Sequence, residues 1–408
     1  MIHHVRKLFI RELIVTGLFA VLLVIYFFAE RFILNKDVQR IPLRICVTGT
    51  RGKSSVTRLI AASLREAGFA VLARTTGSKP VIIFPDGEEK EIKRRGSPSI
   101  LEGKKILRKG AEHQAQALVL ELMSIHPECG YYESVQMFKP HILVITNVRL
   151  DHLAQMGTSK EDIARCFASS IPENGTVFVP QGEFFPVFKE VAERMSSTII
   201  QIPGDSFAEY FQSKNNLPSF ELEENIRLSM GVAEFLGIDK KVALQGMIKA
   251  RPDFGSLKTW TVDLGSPPRC WLLVSCFAAN DPESTQFVLS GLLEKKLFNG
   301  KKIIGLLNLR RDRGDRTLQW LKALKEGAFP EIRKFFFVGE HAHALKSRLK
   351  LPGKTELCVS KPRVPQKIME EIAGKVNAEA VLIGMGNMGG LGKELVEYWE
   401  NIGKPYDF

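Results

Sequence analysis

The chain has 408 residues, enough for two or three domains with cores of their own, and its 45% hydrophobic and 25% charged composition excludes disorder as the main state. The formal net charge of +12 attracts polyanions in general, but no basic motif interleaved with aromatics accompanies it, so nucleic acid is not an expected partner. Six scattered cysteines without a C-x-x-C pair and eight histidines without an H-x-x-x-H pair argue against a zinc site or a redox dithiol and suit a reducing compartment.

The first predicted element is an apolar run from Leu13 to Ala29 that carries no charge. Its length of about 17 residues is at the short end for a membrane-spanning helix. Tyr26, Phe27 and Phe28 stand at its far end, where an aromatic belt lies. Arg6, Lys7 and Arg11 precede it and Arg31, Lys36 and Arg40 follow it, an asymmetry too small to set orientation. Glu30-Arg31-Phe32-Ile33 offers no small-residue cleavage site, which argues against a signal peptide. Residues 1–40 are therefore expected to form a single membrane anchor with a linker at Lys36–Ile41. The catalytic part is expected in the cytoplasm, because the loop that follows reads as a site for ATP.

Leu43 to Val47 reads as a short buried strand, and Val56 to Ala67 has helical spacing. Between them lies Thr48-Gly49-Thr50-Arg51-Gly52-Lys53-Ser54-Ser55. Strand, glycine loop, Lys-Ser and helix form the context in which a loop cradles phosphate. Gly49 and Gly52 let the backbone curl so that amides at Thr50, Arg51 and Ser55 face phosphate oxygens, and the new helix adds its positive end. Lys53 reaches the β- and γ-phosphates, and the Ser54 hydroxyl is a ligand for Mg²⁺. The spacing departs from G-x-x-x-x-G-K-[ST], since Val47 holds the outer glycine position.

A second buried strand, Ala117 to Leu120, ends in Glu121, placed for a Mg²⁺ ligand, although a plain strand-end carboxylate reads the same way. A third, His141 to Ile145, runs into Thr146-Asn147-Val148-Arg149-Leu150-Asp151-His152. Three strands delivering polar clusters at their carboxyl ends is how an open parallel sheet builds a site. Ser213–Pro218 is expected to be a linker, and Glu221 to Asn225 to open a helix ending near Gly237-Ile238.

The pattern breaks near Ala250–Asp253 and new strands begin at Trp260. This predicts an ATP-binding domain over 41–252 and a smaller α/β domain over 253–408. The strand Ile303 to Asn308 leads into four arginines within seven residues. Arg310, Arg313 and Arg316 there are candidates to clamp substrate carboxylates bidentately, with a charge-balanced surface loop as the alternative. Gly384-Met385-Gly386-Asn387-Met388-Gly389 has G-x-G-x-x-G spacing. It lies too near the last residue for a full dinucleotide unit and reads as the last strand and turn of its domain. The expected fold class is thus α/β: a P-loop-type parallel-sheet ATPase domain, a smaller C-terminal α/β domain and an N-terminal transmembrane helix.

Together the strings T-G-T-x-G-K-[ST] at 48–54 and T-N-x-x-x-D-H at 146–152 resemble the Mur ligase superfamily. The narrower resemblance is to the ligase subunit of poly-γ-glutamate synthases (CapB/PgsB type). It rests further on Thr75-Thr76-Gly77, Arg95 to Ile100, Glu121 to Glu128 and Phe277 to Thr285. The resemblance implies an ADP-forming amide ligase that joins glutamate to a growing polyglutamate chain through an acyl phosphate, with other membrane subunits as partners. It implies catalytic roles for Asn147, Asp151 and His152 beside Lys53, with His152 a third Mg²⁺ ligand. It places adenine against Asn225 and phosphate near Arg251. Only about 40 residues precede the glycine loop, too few for a UDP-sugar domain of ordinary size. Two positions depart from the family. Arg165 and Cys166 occupy the region of a carbamylated lysine, for which Lys160 is the nearest substitute. Ser275, Cys276 and Phe277 stand where an aspartate is expected. A folate-polyglutamylating enzyme and a non-ligase ATPase of a membrane complex are the alternatives.

Overall fold

Leu43–Thr48 alternates its side chains between two cores, Ile45 and Val47 into one and Cys46 into the other. Ala117–Glu121 does the same, with Ala117 and Val119 opposed to Leu118 and Leu120. Strands buried on both faces need helices on both sides, and the chain supplies them. The structure is a computed structural model that describes residues 2–77, 79–94, 96, 98–211, 223–294, 298, 300–349 and 355–406, and the side chains from residue 11 onward except that of Phe211. Arg95 and Ser97 of the family strings, the Ser213–Pro218 linker and the Glu221-Leu222 start of the predicted helix lie outside the described residues.

The first sheet contains β1 (Leu43–Thr48), β2 (Val71–Arg74), β3 (Val81–Ile83), β4 (Glu89–Glu91), β5 (Ala117–Glu121), β6 (Ile142–Ile145), β7 (Thr176–Pro180) and β8 (Thr198–Ile202). Its spatial order is β4-β3-β2-β5-β1-β6-β7-β8. Seven strands run in one direction and β3 alone runs against them, pairing antiparallel with both β2 and β4. The expected parallel sheet is therefore mixed. The short connections at residues 75–80 and 84–88 leave room only for hairpins, which reverse the chain. The helix Lys53–Glu66 packs on one face with the helices Glu223–Phe235 and Lys240–Lys249; Glu102–Glu112 and Lys160–Ala168 cover the other.

The second sheet contains β9 (Lys258–Leu264), β10 (Arg269–Ser275), β11 (Lys302–Leu309), β12 (Lys334–Gly339), β13 (Glu356–Val359), β14 (Ala380–Gly386) and β15 (Lys404–Pro405). Its order is β13-β12-β11-β14-β10-β9-β15, with β9 antiparallel to β10 and β15. The glycine-rich strand β14 is the last parallel strand, and the helix Leu391–Ile402 and β15 follow it.

The apolar N-terminal run lies in one helix, Ile2–Gln39. Within its span Arg11–Gln39 an 18-residue stretch has a mean hydropathy of 2.4, so the helix is long and apolar enough to cross a membrane. Leu13 to Phe28 is exposed on every face, whereas Leu34 and Val38 are buried against the helix Glu102–Glu112. The expected linker at Lys36–Ile41 is replaced by helix through Gln39. Three side chains hold it there: Lys104 pairs with Glu30 (2.6 Å), Lys139 donates to Asn35 (3.0 Å), and Arg44 donates to the carbonyls of Val38 (3.1 Å) and Ile41 (2.6 Å).

Candidate active site

Val47 is paired with Glu121 and Thr48 with Ile145, so β1, β5 and β6 end together at one edge of the first sheet. Asn308 is paired with Gly386, so β11 and β14 likewise end side by side. These two sets of carboxyl ends face each other across a cleft of about 880 Å³, the expected place for ligands in open α/β sheets.

The glycine loop at 49–52 forms one wall. Gly49 has φ +123°, and a Cβ there would fall 2.2 Å from Thr146 Oγ1. Gly52 has φ +78°, and its Cβ would fall 2.4 Å from Asn225 Oδ1. Both positions require glycine on two counts, backbone conformation and close approach. The Thr146-Asn147 pair fastens the loop from below. Asn147 accepts from Thr50 N through its carbonyl (2.9 Å) and from Arg51 N through Oδ1 (3.0 Å), while Thr146 Oγ1 donates to the Arg51 carbonyl (2.6 Å). Lys53 lies over the loop and donates to the carbonyls of Gly49 (2.7 Å) and Thr50 (3.1 Å). Burial lowers the pKa of its ammonium, and nearby Glu121 opposes the shift. Ser55 lines the cleft one position on, at the start of the helix.

Ser54 Oγ donates to Glu121 Oε2 (2.8 Å), which also accepts from Thr76 N (2.6 Å). Among the described residues no group of three His, Cys, Asp or Glu side chains is placed to hold a metal. The oxygen pair Ser54–Glu121 still suits Mg²⁺, which keeps several waters and takes few protein ligands beside phosphates. His152 lines the same cleft, with Arg313 3.3 Å from its Nδ1. Its φ of +48° is unusual for a residue other than glycine. Burial, together with Arg313, Arg316 and Lys53, lowers its pKa to about 4 against the pull of Asp151. His152 is thus a neutral imidazole near pH 7.

Asp151 is buried between two guanidiniums, Arg51 at 2.8 Å and Arg316 at 2.8 Å. Burial would raise its pKa, but the two cations outweigh burial and hold the carboxyl well below the usual range. Arg316 also donates to Asn387 Oδ1 (3.1 Å) and is 6% exposed. Arg316 lines the cleft, but its guanidinium is engaged by Asp151 and Asn387, so the structure pairs this expected substrate clamp with a carboxylate of the protein. Arg310 faces the cleft over Gly389 while gripping Asp312 (2.9 and 2.7 Å). Arg313 faces the cleft with no carboxylate partner among the described residues.

Arg251 is exposed and lines a separate cavity of about 320 Å³ with Arg58, Arg65 and Lys249. Arg58 donates to the Arg251 carbonyl (3.5 Å) and lies 3.6 Å from Asp253, so the turn directs Asp253, not Arg251, into the main cleft. Asn225 is buried against Gly52 and lines a side slot of about 140 Å³ with Asn147, Phe287 and Val288, bounded by both domains. Lys160 pairs with Glu283 (2.7 Å) outside the cleft lining, Arg165 is exposed, and Cys166 is buried with Sγ on the Ile125 carbonyl (3.5 Å). None of the three substitutes for a carbamylated lysine in the cleft. Two residues escaped the sequence reading. Asn387 lies in the G-x-G-x-x-G string, and Asp281 stands just before the Pro-Glu that opens a helix, the local signal of a cap.

A fold with nucleotide-sized space between two α/β domains, walled by a Gly-Lys-Ser loop, defines an ATP-dependent amide ligase of the Mur type. Residues 47–248 match the Mur ligase middle domain, and residues 263–402 match the poly-gamma-glutamate synthase CapB C-terminal domain. The capsule biosynthesis protein CapB of Bacillus anthracis is 34% identical over 320 residues, 78% of this chain and 68% of the relative. The PGA synthase CapB of Bacillus subtilis (strain 168) is 32% identical over 368 residues, 89% and 91% of the two chains. The chain belongs to the CapB family of poly-γ-glutamate synthases. Among solved structures, E. coli FolC in complex with DHPP and ADP superposes with a TM-score of 0.66 at 14% identity, covering 91% of this chain and 92% of the other. MurF from Acinetobacter baumannii gives 0.63 at 17% identity, covering 90% and 79%. These two show the shared fold.

Proposed function

We propose that the protein uses ATP and Mg²⁺ to convert a glutamyl carboxylate into an acyl phosphate, which the amine of an incoming glutamate then attacks to extend poly-γ-glutamate. The observation that carries this reading is the placement of Lys53, Ser54 and Glu121 on one wall of a single cleft and Arg310 and Arg313 on the other. The loop amides and Lys53 bind the triphosphate once Lys53 leaves the Gly49 and Thr50 carbonyls. The base enters the slot at Asn225 and Phe287. Ser54 and Glu121, with His152 in reach of the same space, would hold Mg²⁺, which would supply neutralisation of phosphate charge. Lys53 steadies the transferred γ-phosphoryl group as the carboxylate oxygen bonds to phosphorus and the bond to ADP breaks. Arg313, with Arg310 beside it, holds the substrate carboxylates; Asn147 and Asp151 act by holding the loop and its partners. The amine then bonds to the acyl carbon, phosphate leaves, and the amine gives up a proton. Enclosure between two domains keeps water from the acyl phosphate.

The domain limits that fit this division are 41–252 and 253–408. The exposed apolar helix anchors the protein in the membrane with both domains on the cytoplasmic side, where ATP is found, and other membrane subunits are the expected partners. The test follows ADP release and radiolabelled glutamate incorporation together in membranes. Lys53→Ala is expected to lower both by at least about 10²–10³-fold while leaving the thermal midpoint unchanged. Polymer extension by that variant at near the wild-type rate would overturn the assignment of the loop.

A further inference from the structure

Arg51 sits in the middle of the glycine loop, yet its side chain does not reach towards the phosphate bed. Its Nε donates to the Ala279 carbonyl (2.8 Å) and to Asp281 Oδ2 (3.1 Å), and its Nη2 lies 2.8 Å from the same carboxylate oxygen. Its Nη1 reaches Asp151 at 2.8 Å. Asp151 in turn holds Arg316. The four side chains form an alternating row, Asp281–Arg51–Asp151–Arg316, whose outer members belong to the C-terminal domain and whose inner members belong to the ATP-binding domain. Two cations meet two anions, and side-chain exposure is 17% for Arg51, 6% for Asp151, 4% for Asp281 and 7% for Arg316.

Asp281 is not among the residues lining the cleft. It precedes the helix Pro282–Glu294 and accepts from Ser284 N (2.8 Å) and Ser284 Oγ (2.8 Å), and its carbonyl accepts from Thr285 Oγ1 (2.8 Å). It therefore touches the loop only through Arg51. Two guanidinium N–H groups converge on Asp281 Oδ2 while Nε also donates to the Ala279 carbonyl, so the contact fixes orientation as well as distance. Thr146 and Asn147 hold the loop backbone at Thr50 and Arg51 from the ATP-binding domain, and the Arg51 side chain adds a hold on the same loop from the C-terminal domain.

We propose that Asp281 is a positioning residue for phosphoryl transfer: from the C-terminal domain it holds Arg51, and through Arg51 it sets the curl of the glycine loop and the approach of Lys53. The inference rests on the ligase function proposed above and extends it. Domain docking and loop shape are then one event, because the cation that closes the row belongs to the loop.

The test uses the purified full chain in lipid nanodiscs. Asp281→Asn retains a good helix cap and removes the charge. Amide formation should fall about tenfold or more in kcat, while affinity for a fluorescent ADP analogue stays within about threefold of wild type, since the loop amides and Lys53 that hold the diphosphate are unchanged and Arg51 stays paired with Asp151. Arg51→Lys, which loses the fork and keeps the cation, should show the same split, and it carries the test should Asp281→Asn fail to fold. Lys160→Ala removes a different interdomain pair, to Glu283, which lies outside the cleft lining; it should leave kcat within about twofold. Wild-type kcat in the folded aspartate variant, a parallel loss of kcat and nucleotide affinity, or an equal loss in Lys160→Ala would each overturn the proposal. A wild type that releases no ADP in the presence of glutamate and acceptor would overturn the ligase function, and this inference with it.

Discussion

Replacing Glu121 by Gln removes one charge from the site at almost constant volume. Glu121 is 3% exposed, and a single oxygen, Oε2, takes both the Ser54 hydroxyl at 2.8 Å and the Thr76 amide at 2.6 Å. A glutamine can still accept these two bonds through Oε1, so the local fold should survive. A hydrogen bond made to a charged group contributes about 1.5–3 kcal/mol, against about 1 kcal/mol for a neutral one. If one contact of that strength is made to the metal in the transition state, its loss lowers kcat by roughly 10- to 150-fold, at about 1.36 kcal/mol per tenfold. The assay is ADP release across a Mg²⁺ titration with ATP saturating. The variant should need more Mg²⁺ for half-maximal rate and should reach a lower plateau. Metal-free nucleotide binding should not weaken, because a carboxylate beside the phosphates repels them. A variant with wild-type Mg²⁺ dependence and wild-type plateau would refute the placement of the metal at Ser54 and Glu121.

The two arginines on the helix at 314–325 and the turn before it should separate by phenotype. Arg313→Ala should raise the KM for the polyglutamate acceptor about tenfold or more with little change in thermal midpoint, because Arg313 faces the cleft without a carboxylate partner among the described residues. Arg316→Met leaves Asp151 short of a buried partner and should cost about 3–5 kcal/mol of stability, read as a lower denaturation midpoint. Equal effects of the two on acceptor KM would refute the division. His152 supplies a pH test. Its pKa is lowered from 6.5 to about 4 by folding, so between those values the unfolded chain binds a proton that the folded chain does not. The stability this group contributes is complete above pH 6.5 and is lost as pH falls towards 4. His152→Gln should flatten the fall of the denaturation midpoint over that window, and a variant that follows the wild-type slope would count against the shift.

The parts of the site that were legible in sequence are those built by near neighbours. Gly49, Gly52, Lys53 and Ser54 lie within six residues, so strand, turn and helix spacing alone predicts a curled loop. Glu121 was legible because an apolar strand ending in a carboxylate puts that group at a sheet edge, and the register of β5 on β1 then brings it to Ser54. The pairing of Arg316 was not legible, for the opposite reason. Four arginines after a strand look alike in sequence, and what distinguishes Arg316 is Asp151, 165 residues away. Arg251 lies outside the main cleft because a turn at 250–253 can direct either neighbour inward, and contacts with Arg58 decide which. The helix at the N-terminus was read as ending near residue 36, since polar residues return there. Burial of Leu34 and Val38 against another helix carries it to Gln39.

Local patterning determined that the chain would hold an apolar helix, two α/β domains and a glycine loop with lysine and serine at its exit. Periodicity of apolar residues and backbone freedom at glycine are properties of a few consecutive residues, and they need no partner to be expressed. Tertiary structure alone decided that β3 runs against the rest of its sheet, that Arg316 is paired with Asp151, and that the C-terminal domain reaches the glycine loop through Asp281. Charges of the same kind acquire different roles only when folding chooses their neighbours, because a buried ion is governed by the counter-charge a few ångströms away and not by its place in the sequence.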